Sequence, residues 1–323
     1  MDSLVSIIIA TYNSSPFVVE TLESIVKQTW ERLELIITDD CSGDNTVELC
    51  QAWLRNNRER FIKTQILTFE RNTGVAANAN RGLHAARGKW VKFLAADDTL
   101  KPNCIEDNIL WTISHPEVNV LFSKIEVYRD TFELHNLLET IPGIPDDPTS
   151  VLAPGRSIDS QYRMLLLNDR IHFTPSVFIN KEILLSVGGY DERFKMIEDY
   201  PLWLKLLRNG HRLYFMDKVT VNYRQHSNAA NNTGIDYLIS PGYFKLENFR
   251  KSYTYPYMPI DVRLNQRYYW YVSQIFQSSR LNRNNIFIRF FHSLFTTYLN
   301  PFKYYIYIKK RFIKNPELRD FYN

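Results

Sequence analysis

The chain has 323 residues, 45% of them hydrophobic and 23% charged, which is enough to bury a sizeable core and excludes a wholly disordered chain. Its net charge of +4 is unevenly placed: residues 280–323 carry nine Lys/Arg against two Asp/Glu, a local +7, and twelve of the 46 aromatics, leaving residues 1–279 at −3.

Through the first half, short β-branched runs alternate with amphipathic stretches, the pattern of βαβ units around a mostly parallel sheet. Strands are expected in VSIIIATYN (5–13), LELIITDD (33–40), KTQILTF (63–69) and KWVKFLAADD (89–98), with helices in FVVETLESIVKQ (17–28), NTVELCQAWLRNN (45–57) and GVAANANRGLHAARG (74–88). A proline-rich stretch, IPGIPDDPTSVLAPG (141–155), punctuates the chain. Beyond it the pattern predicts a helix around 160–167, a strand at TPSVFIN (174–180), a turn at GGYDERF (188–194) and a helix from Glu198 to Arg208 closed by Gly210. One or two strands in HRLYFMDKVTVNYRQH (211–226) end in a basic, His-containing loop.

The strand ends are polar: Thr11, Tyr12 and Asn13 close the first, Asp39 and Asp40 the second, Asp97 and Asp98 the fourth. Parallel strands bring such ends to one crevice, where open α/β sheets bind ligands, and paired acids there call for a divalent metal or a donor-rich ligand. Capping and turn formation account equally well for Asp39 to Asp44, and a turn is the alternative for Asp97 and Asp98. Glu198 and Asp199 sit where a helix dipole favours acids, whatever else they do. No GxGxxG or GxxxxGK[ST] glycine cradle is present, so a bound diphosphate would need a metal held by carboxylates.

Cys41, Cys50 and Cys104 are odd in number and lack CxxC spacing, which argues against a disulfide framework or structural zinc and fits a reducing cytosol. The start MDSLVSIIIATYN has an acid where a signal peptide needs basic residues, and no stretch reaches the ~18 apolar residues of a membrane span, so secretion and membrane spanning are not expected.

Taken together, VSIIIATYN, LIITDDCSGDNT, NTGVAANANRGLHAARGKWVKFLAADD, GGYDERF, IEDYPLWLKLLRNG and YRQH, in this order over roughly residues 4–226, resemble the family 2 glycosyltransferases. The resemblance implies an α/β GT-A fold, Rossmann-like, and inverting transfer of a sugar from a nucleotide-diphospho-sugar, with a catalytic domain at 1–226 and a helical, aromatic and basic extension at 227–323. It implies donor contacts from Thr11, Tyr12, Asn13, Asp40 (to the base, commonly uracil), Asn78, Asn80 and Asp97. Asp98 would hold Mn²⁺ or Mg²⁺, and Asp199 would act as base with Glu198 as helper or runner-up. Two departures stand out: Ala95 replaces a frequent acid of the DxDD element, and Ala79 replaces the Arg of an ARN triplet. His226 is a candidate second metal ligand or a solvated loop histidine, and Arg224 a candidate diphosphate contact through its planar fork. Trp203 and Leu202 read as core; His172 and Thr174 read either as acceptor-groove residues or as strand-edge hydrogen-bonding groups.

Within NIFIRFFHSLFTTYLN, helical projection puts Phe287, Phe290, Phe291, Leu294, Phe295 and Tyr298 on one face, with Arg289, His292, Ser293 and Thr296 on the other. Aromatics beside cations suit an anionic membrane surface, and a helix packed on the body with a basic outer face is the equal alternative. A transferase body leaves no expected nucleic-acid partner. The expected partners are a nucleotide-sugar and a glycan acceptor carried on undecaprenyl diphosphate in bacterial surface-polysaccharide synthesis, at the inner face of the cytoplasmic membrane. A catalytically idle sugar- or partner-binding module and a nucleotidyltransferase are the competing readings.

Overall fold

The computed structural model describes residues 3–143, 150–195, 197–227, 237–239, 243–244, 246–278, 282–314 and 319–322. Residues 144–149 of the proline-rich stretch, and Arg280 and Glu317 of the basic tail, lie outside the described residues. The chain forms two compact units, one of residues 1–161 with 170–226, the other of 162–169 with 227–323.

The first unit is built on a nine-stranded mixed sheet. Strands β1 (Val5–Thr11), β2 (Leu33–Asp39), β3 (Lys63–Thr68) and β4 (Trp90–Ala95) pair in parallel in the order β3-β2-β1-β4. β1 and β2 are buried along nearly their whole length, with apolar centres at Ile7–Ala10 and Leu35–Ile37, as strands covered on both faces must be. Helices α1 (Val18–Val26), α2 (Thr46–Asn57) and α3 (Val75–Ala85) make the crossovers. Gly82 lets α3 lie directly on the sheet: a Cβ there would stand 2.4 Å from the Ile8 side chain of β1.

Past β4 the sheet changes character. It continues through β8 (Phe178–Asn180), antiparallel to β4, then β6 (Val120–Arg129), β9 (Tyr214–Gln225) and the short β5 (Thr99–Leu100), while β7 (Leu137–Ile141) pairs outside β6. The expected strand over TPSVFIN is shorter than the pattern suggested. Thr174–Ser176 is a 3₁₀ turn with Pro175 in its first positions, and strand geometry begins only at Phe178. The 211–226 segment is one long strand whose register against β6 slips twice near Lys124. Helices α4 (Cys104–Ser114), α5 (Ile158–Leu167), α6 (Lys181–Ser186) and α7 (Asp199–Arg208) complete the element order, and the division between the units falls within α5. Trp203 and Leu202 of α7 are core residues, Trp203 meeting Phe122 edge-on with centroids 4.9 Å apart.

The second unit is helical, with Ile260–Ser278, Ile286–Ser293, a π-helical turn over Leu294–Tyr298, and Pro301–Phe312. Its amphipathic stretch is packed the opposite way from a globular helix. His292, Thr296 and Asn300 are buried, with the His292 ring 3.1 Å from Ser273 Oγ and flanked edge-on by Tyr269 and Phe276. Asn300 donates to Asn265 Oδ1 and to the Thr296 carbonyl. Phe287, Phe290, Phe291, Phe295 and Tyr298 are instead exposed, Phe287 by 74%. Lys309, one of the tail's cations, is engaged 2.6 Å from Asp261.

Candidate active site

The crevice at the carboxyl ends of β1, β2 and β4 is tied together by its own polar groups. Thr11 Oγ1 donates to Asp39 Oδ2 at 2.7 Å, and Asp39 in turn accepts from the Ser42 amide and hydroxyl. Asn13, at φ +49°, accepts the Gly43 amide on its side-chain oxygen. Tyr12 lies between them with its ring half exposed. Asn78 of α3 is buried and donates to the Thr38 and Thr11 carbonyls, sewing two strand ends.

Asp40 is buried and fully engaged. Its Oδ1 accepts from Thr73 Oγ1 and Arg81 Nη2, and its Oδ2 from the Thr73 and Gly74 amides, all within 2.6–2.9 Å. Burial alone would raise this carboxyl, but those hydrogen bonds outweigh it and hold it below the usual range. Four donors occupy the lone-pair positions a base would use. Asp40, expected to contact the nucleobase, is therefore an anchor for the 73–74 loop in this structure. Arg81, which the sequence reading did not single out, completes the cluster. Its guanidinium lies 4.4 Å from the Phe69 ring, and Phe69 is exposed. Asn80, another expected donor contact, is also spent elsewhere: it accepts the Tyr190 amide and donates to the Tyr190 carbonyl and Glu192, clamping the GGYDERF turn. The turn needs Gly189 at φ +60°, where a Cβ would stand 2.6 Å from the Asn80 oxygen.

Asp97 and Asp98 take opposite places. Asp98 is 0% exposed; its Oδ1 accepts the Arg224 amide at 2.9 Å, so the carboxylate extends the β5–β9 ladder in place of a strand carbonyl. Burial, then the neighbouring Asp97, push this carboxyl well up, which favours its protonated form. Its Oδ2 is buried without a hydrogen-bond partner, so Asp98 keeps an acceptor for a cation, while the neighbouring Asp97 side chain is 29% exposed with its Oδ2 3.1 Å from His226 Nε2. Arg224 is likewise not a free fork: it is 3% exposed, donates to the Asp97 and Asp130 carbonyls and to Glu20, and lies over the Phe17 and Phe132 rings. His226 packs on Phe17 with centroids 4.6 Å apart.

Among the described residues there is no group of three or more His, Cys, Asp or Glu able to hold a metal ion. One carboxylate and one imidazole nitrogen, side by side at the edge, still fit a divalent ion whose remaining positions come from diphosphate oxygens and water, the usual way Mg²⁺ is held.

The second acidic pair opens α7. Glu198 is the residue preceding the helix, and Asp199 accepts the Tyr200 amide on Oδ1 and the Thr174 hydroxyl on Oδ2 at 2.7 Å. Burial first, then the Asp199 charge, push Glu198 up to about 7. A carboxyl raised in the folded state keeps its proton longer there than in the unfolded chain, so stability declines as pH rises from about 4.5 to about 7 and stays lower above. Glu198→Gln removes this cost; urea unfolding is expected to show the variant up to about 3 kcal/mol more stable than wild type at pH 8 and no more stable at pH 4. Equal stabilities at pH 8 would refute the raised value. His172 is exposed, and Thr174 is committed to Asp199.

The sheet order and this crevice define a GT-A glycosyltransferase fold. The Glycosyl transferase family 2 profile matches residues 6–183, more than half of the chain, and the chain belongs to that family. It is 30% identical over 207 residues to an uncharacterized glycosyltransferase of Haemophilus influenzae, a match covering 64% of this chain and 62% of that relative's length. It is 26% identical to the putative teichuronic acid biosynthesis glycosyltransferase TuaG of Bacillus subtilis, over 70% of this chain and 81% of TuaG. Among solved structures, S. aureus TarS 1-349 in complex with UDP-GlcNAc aligns over 98% of this chain and 78% of that one, with TM-score 0.54 and 19% identity. The Pyrobaculum calidifontis mannosyltransferase PcManGT, in complex with GDP-Man and Mn²⁺, aligns over the same shares with TM-score 0.53 and 15% identity.

Proposed function

We propose that the chain is an inverting glycosyltransferase that moves a hexose or N-acetylhexosamine from a UDP-linked donor to a hydroxyl of a lipid-linked glycan, in assembly of a bacterial surface polysaccharide. The observation that carries this reading is the separation of two acidic groups with different surroundings in one unit: Asp97 beside His226 at the strand-end crevice, and Asp199 with Glu198 at the head of α7. Inversion needs two such places, one for the leaving diphosphate and one for the base that takes the acceptor proton on the opposite face. TarS and PcManGT, bound to sugar nucleotides, and TuaG, named for teichuronic acid synthesis, support the donor class and the acceptor class respectively.

Asp98, through its unpartnered Oδ2, and His226, with Asp97 beside them, would hold Mn²⁺ or Mg²⁺, which when bound supplies positive charge against the developing charge of the leaving diphosphate. Thr11, Tyr12 and Asn13 line the approach for the nucleoside, with the Asp40–Arg81 cluster shaping its floor. Asp199 Oδ1 and Oδ2 each keep lone pairs beyond the single donor each accepts, so the carboxylate can take the hydroxyl proton as the new C–O bond forms. The test is a donor and acceptor screen with Mn²⁺ or Mg²⁺ on wild type, Asp97→Ala and Asp199→Asn. Metal-dependent transfer that both variants lose supports the reading. Equal background turnover in all three would leave a non-catalytic binding module.

The membrane part of the reading rests on the tail's outward aromatic face, with no helix among the described residues long and apolar enough to cross a bilayer. A surface of exposed Phe and Tyr with Lys and Arg alongside fits the headgroup region of an anionic leaflet. Vesicles of phosphatidylglycerol and phosphatidylcholine are expected to bind the protein in flotation, and replacing Phe287, Phe290 and Phe291 by Ser to weaken binding about tenfold or more. Binding unchanged in the triple variant removes the tail from this role.

A further inference from the structure

Lys92, in the middle of β4, is 0% exposed, and its charge is felt by Asp98 at the end of the same strand, although it makes its hydrogen bonds elsewhere. A buried ammonium is costly unless its donors are used, and burial lowers this one to about 8. Its Nζ donates to the Pro175 carbonyl at 2.7 Å and to the Val177 carbonyl at 3.4 Å. Both carbonyls belong to the 3₁₀ turn Thr174–Ser176 or its exit, and the turn is pinned from β6 as well, where the Ser123 amide donates to Ser176 Oγ. Ser176 Oγ itself donates to the Phe173 carbonyl. Thr174, the first residue of this turn, turns its hydroxyl to Asp199 Oδ2 at 2.7 Å, with the Ile171 carbonyl at a longer 3.5 Å.

We infer that Lys92 and Thr174 form a positioning relay for Asp199: the buried ammonium locks the 174–176 turn onto the central sheet, and Thr174, fixed by that turn, holds the carboxylate in one orientation before any acceptor arrives. The inference rests on the proposed role of Asp199 as base. A carboxylate on the first residue of a helix has free rotation about its side-chain bonds, and the Tyr200 amide restrains only one oxygen. The Thr174 hydroxyl restrains the other, so neither oxygen has to be brought into place during the reaction, when a misplacement of about 1 Å can cost a hundredfold in rate. An apolar residue at position 92 would leave two buried carbonyls without a donor and the turn free to shift. Thr174 and Lys92 touch neither donor nor acceptor in this account; both act through Asp199.

Thr174→Val and Thr174→Ser, made in the full-length protein, separate this from simple packing. With the nucleotide-sugar that wild type turns over, Thr174→Val is expected to lower kcat by about tenfold or more while the donor KM stays within about twofold, and Thr174→Ser to recover wild-type kcat. Lys92→Met is expected to lower kcat in the same sense along with the urea midpoint; where it does not fold, the Thr174 pair decides. Wild-type kcat in Thr174→Val, or a loss that Ser does not restore, overturns the relay. Asp199→Asn inactive beside a fully active Thr174→Val sinks the relay and keeps the glycosyltransferase reading. Should wild type itself turn over no donor, that reading fails, and a double-mutant cycle on urea midpoints with Asp199→Ala, which removes the acceptor, judges the contact: non-additive Thr174→Val and Asp199→Ala shifts uphold the restraint, additive shifts refute it.

Discussion

Asp199→Asn is expected to lower sugar transfer about 10³-fold while leaving donor affinity unchanged within about twofold. Asparagine matches aspartate in size and can still accept the Tyr200 amide and the Thr174 hydroxyl on its one oxygen in turn, so the head of α7 stays folded. What it loses is a site for a proton, and base catalysis of this kind is worth about 10²–10⁴ in rate. Steady-state kinetics with calorimetric titration of the sugar nucleotide checks both halves. A variant that keeps its rate moves the base elsewhere, with Glu198 the nearest carboxyl; a variant that loses donor affinity as well makes Asp199 a donor contact and not a base.

Arg224→Met is expected to cost about 3 kcal/mol of stability, the scale of breaking a buried ion-pair network, whereas Glu20→Gln is expected to cost less than about 1 kcal/mol. The contrast follows from burial: the guanidinium is 3% exposed while the Glu20 side chain is 53% exposed, so water can replace the arginine's role for Glu20 but not for the Asp97 and Asp130 carbonyls. Loss of the guanidinium also removes the cation held over Phe17 and Phe132, and with it the packing behind His226. Urea unfolding of the two variants measures the difference directly. Equal costs would mean that Arg224 works through its surface ion pair alone.

The parallel half of the fold is legible in residue pattern because it is locally consistent. β1 and β2 are built around the apolar runs Ile7–Ala10 and Leu35–Ile37, and α1, α2 and α3 carry amphipathic repeats, so the strands and helices expected there fall within a few residues of those observed. β6 was not legible: VLFSKIEVYR mixes Ser123, Lys124 and Glu126 into a strand of the sheet's interior, and Ser123 is tolerated there only because Thr220 of β9 meets it at 2.6 Å. That partnership between residues 97 apart leaves no local trace. The site shows the same division. Which acids cluster could be read from the strand ends, but which of them face outward could not. Asp97 and Asp98 are adjacent and chemically identical, and their fates part only because the Arg224 amide, brought in by β9, reaches Asp98. Asp40, Asn80 and Arg224 look like ligand-binding groups in sequence and serve as braces in three dimensions, because each meets its protein partners first. Arg81 had a signal available, a lone cation on the first helix after the 73–74 loop, with an unpaired acid needed to neutralise it.

The buried polar seam of the tail, Ser273, His292, Thr296 and Asn300, bears on what keeps the second unit intact where it is proposed to work. Apolar burial tells inside from outside only in water; against acyl chains the distinction fades, and a unit held by grease alone could turn itself out. Hydrogen bonds between helices keep their value there, since the alternative is an unpaired polar group in an oily surrounding. A tail stitched through its middle by polar side chains can lay its aromatic face on a foreign surface and still come away with the same shape.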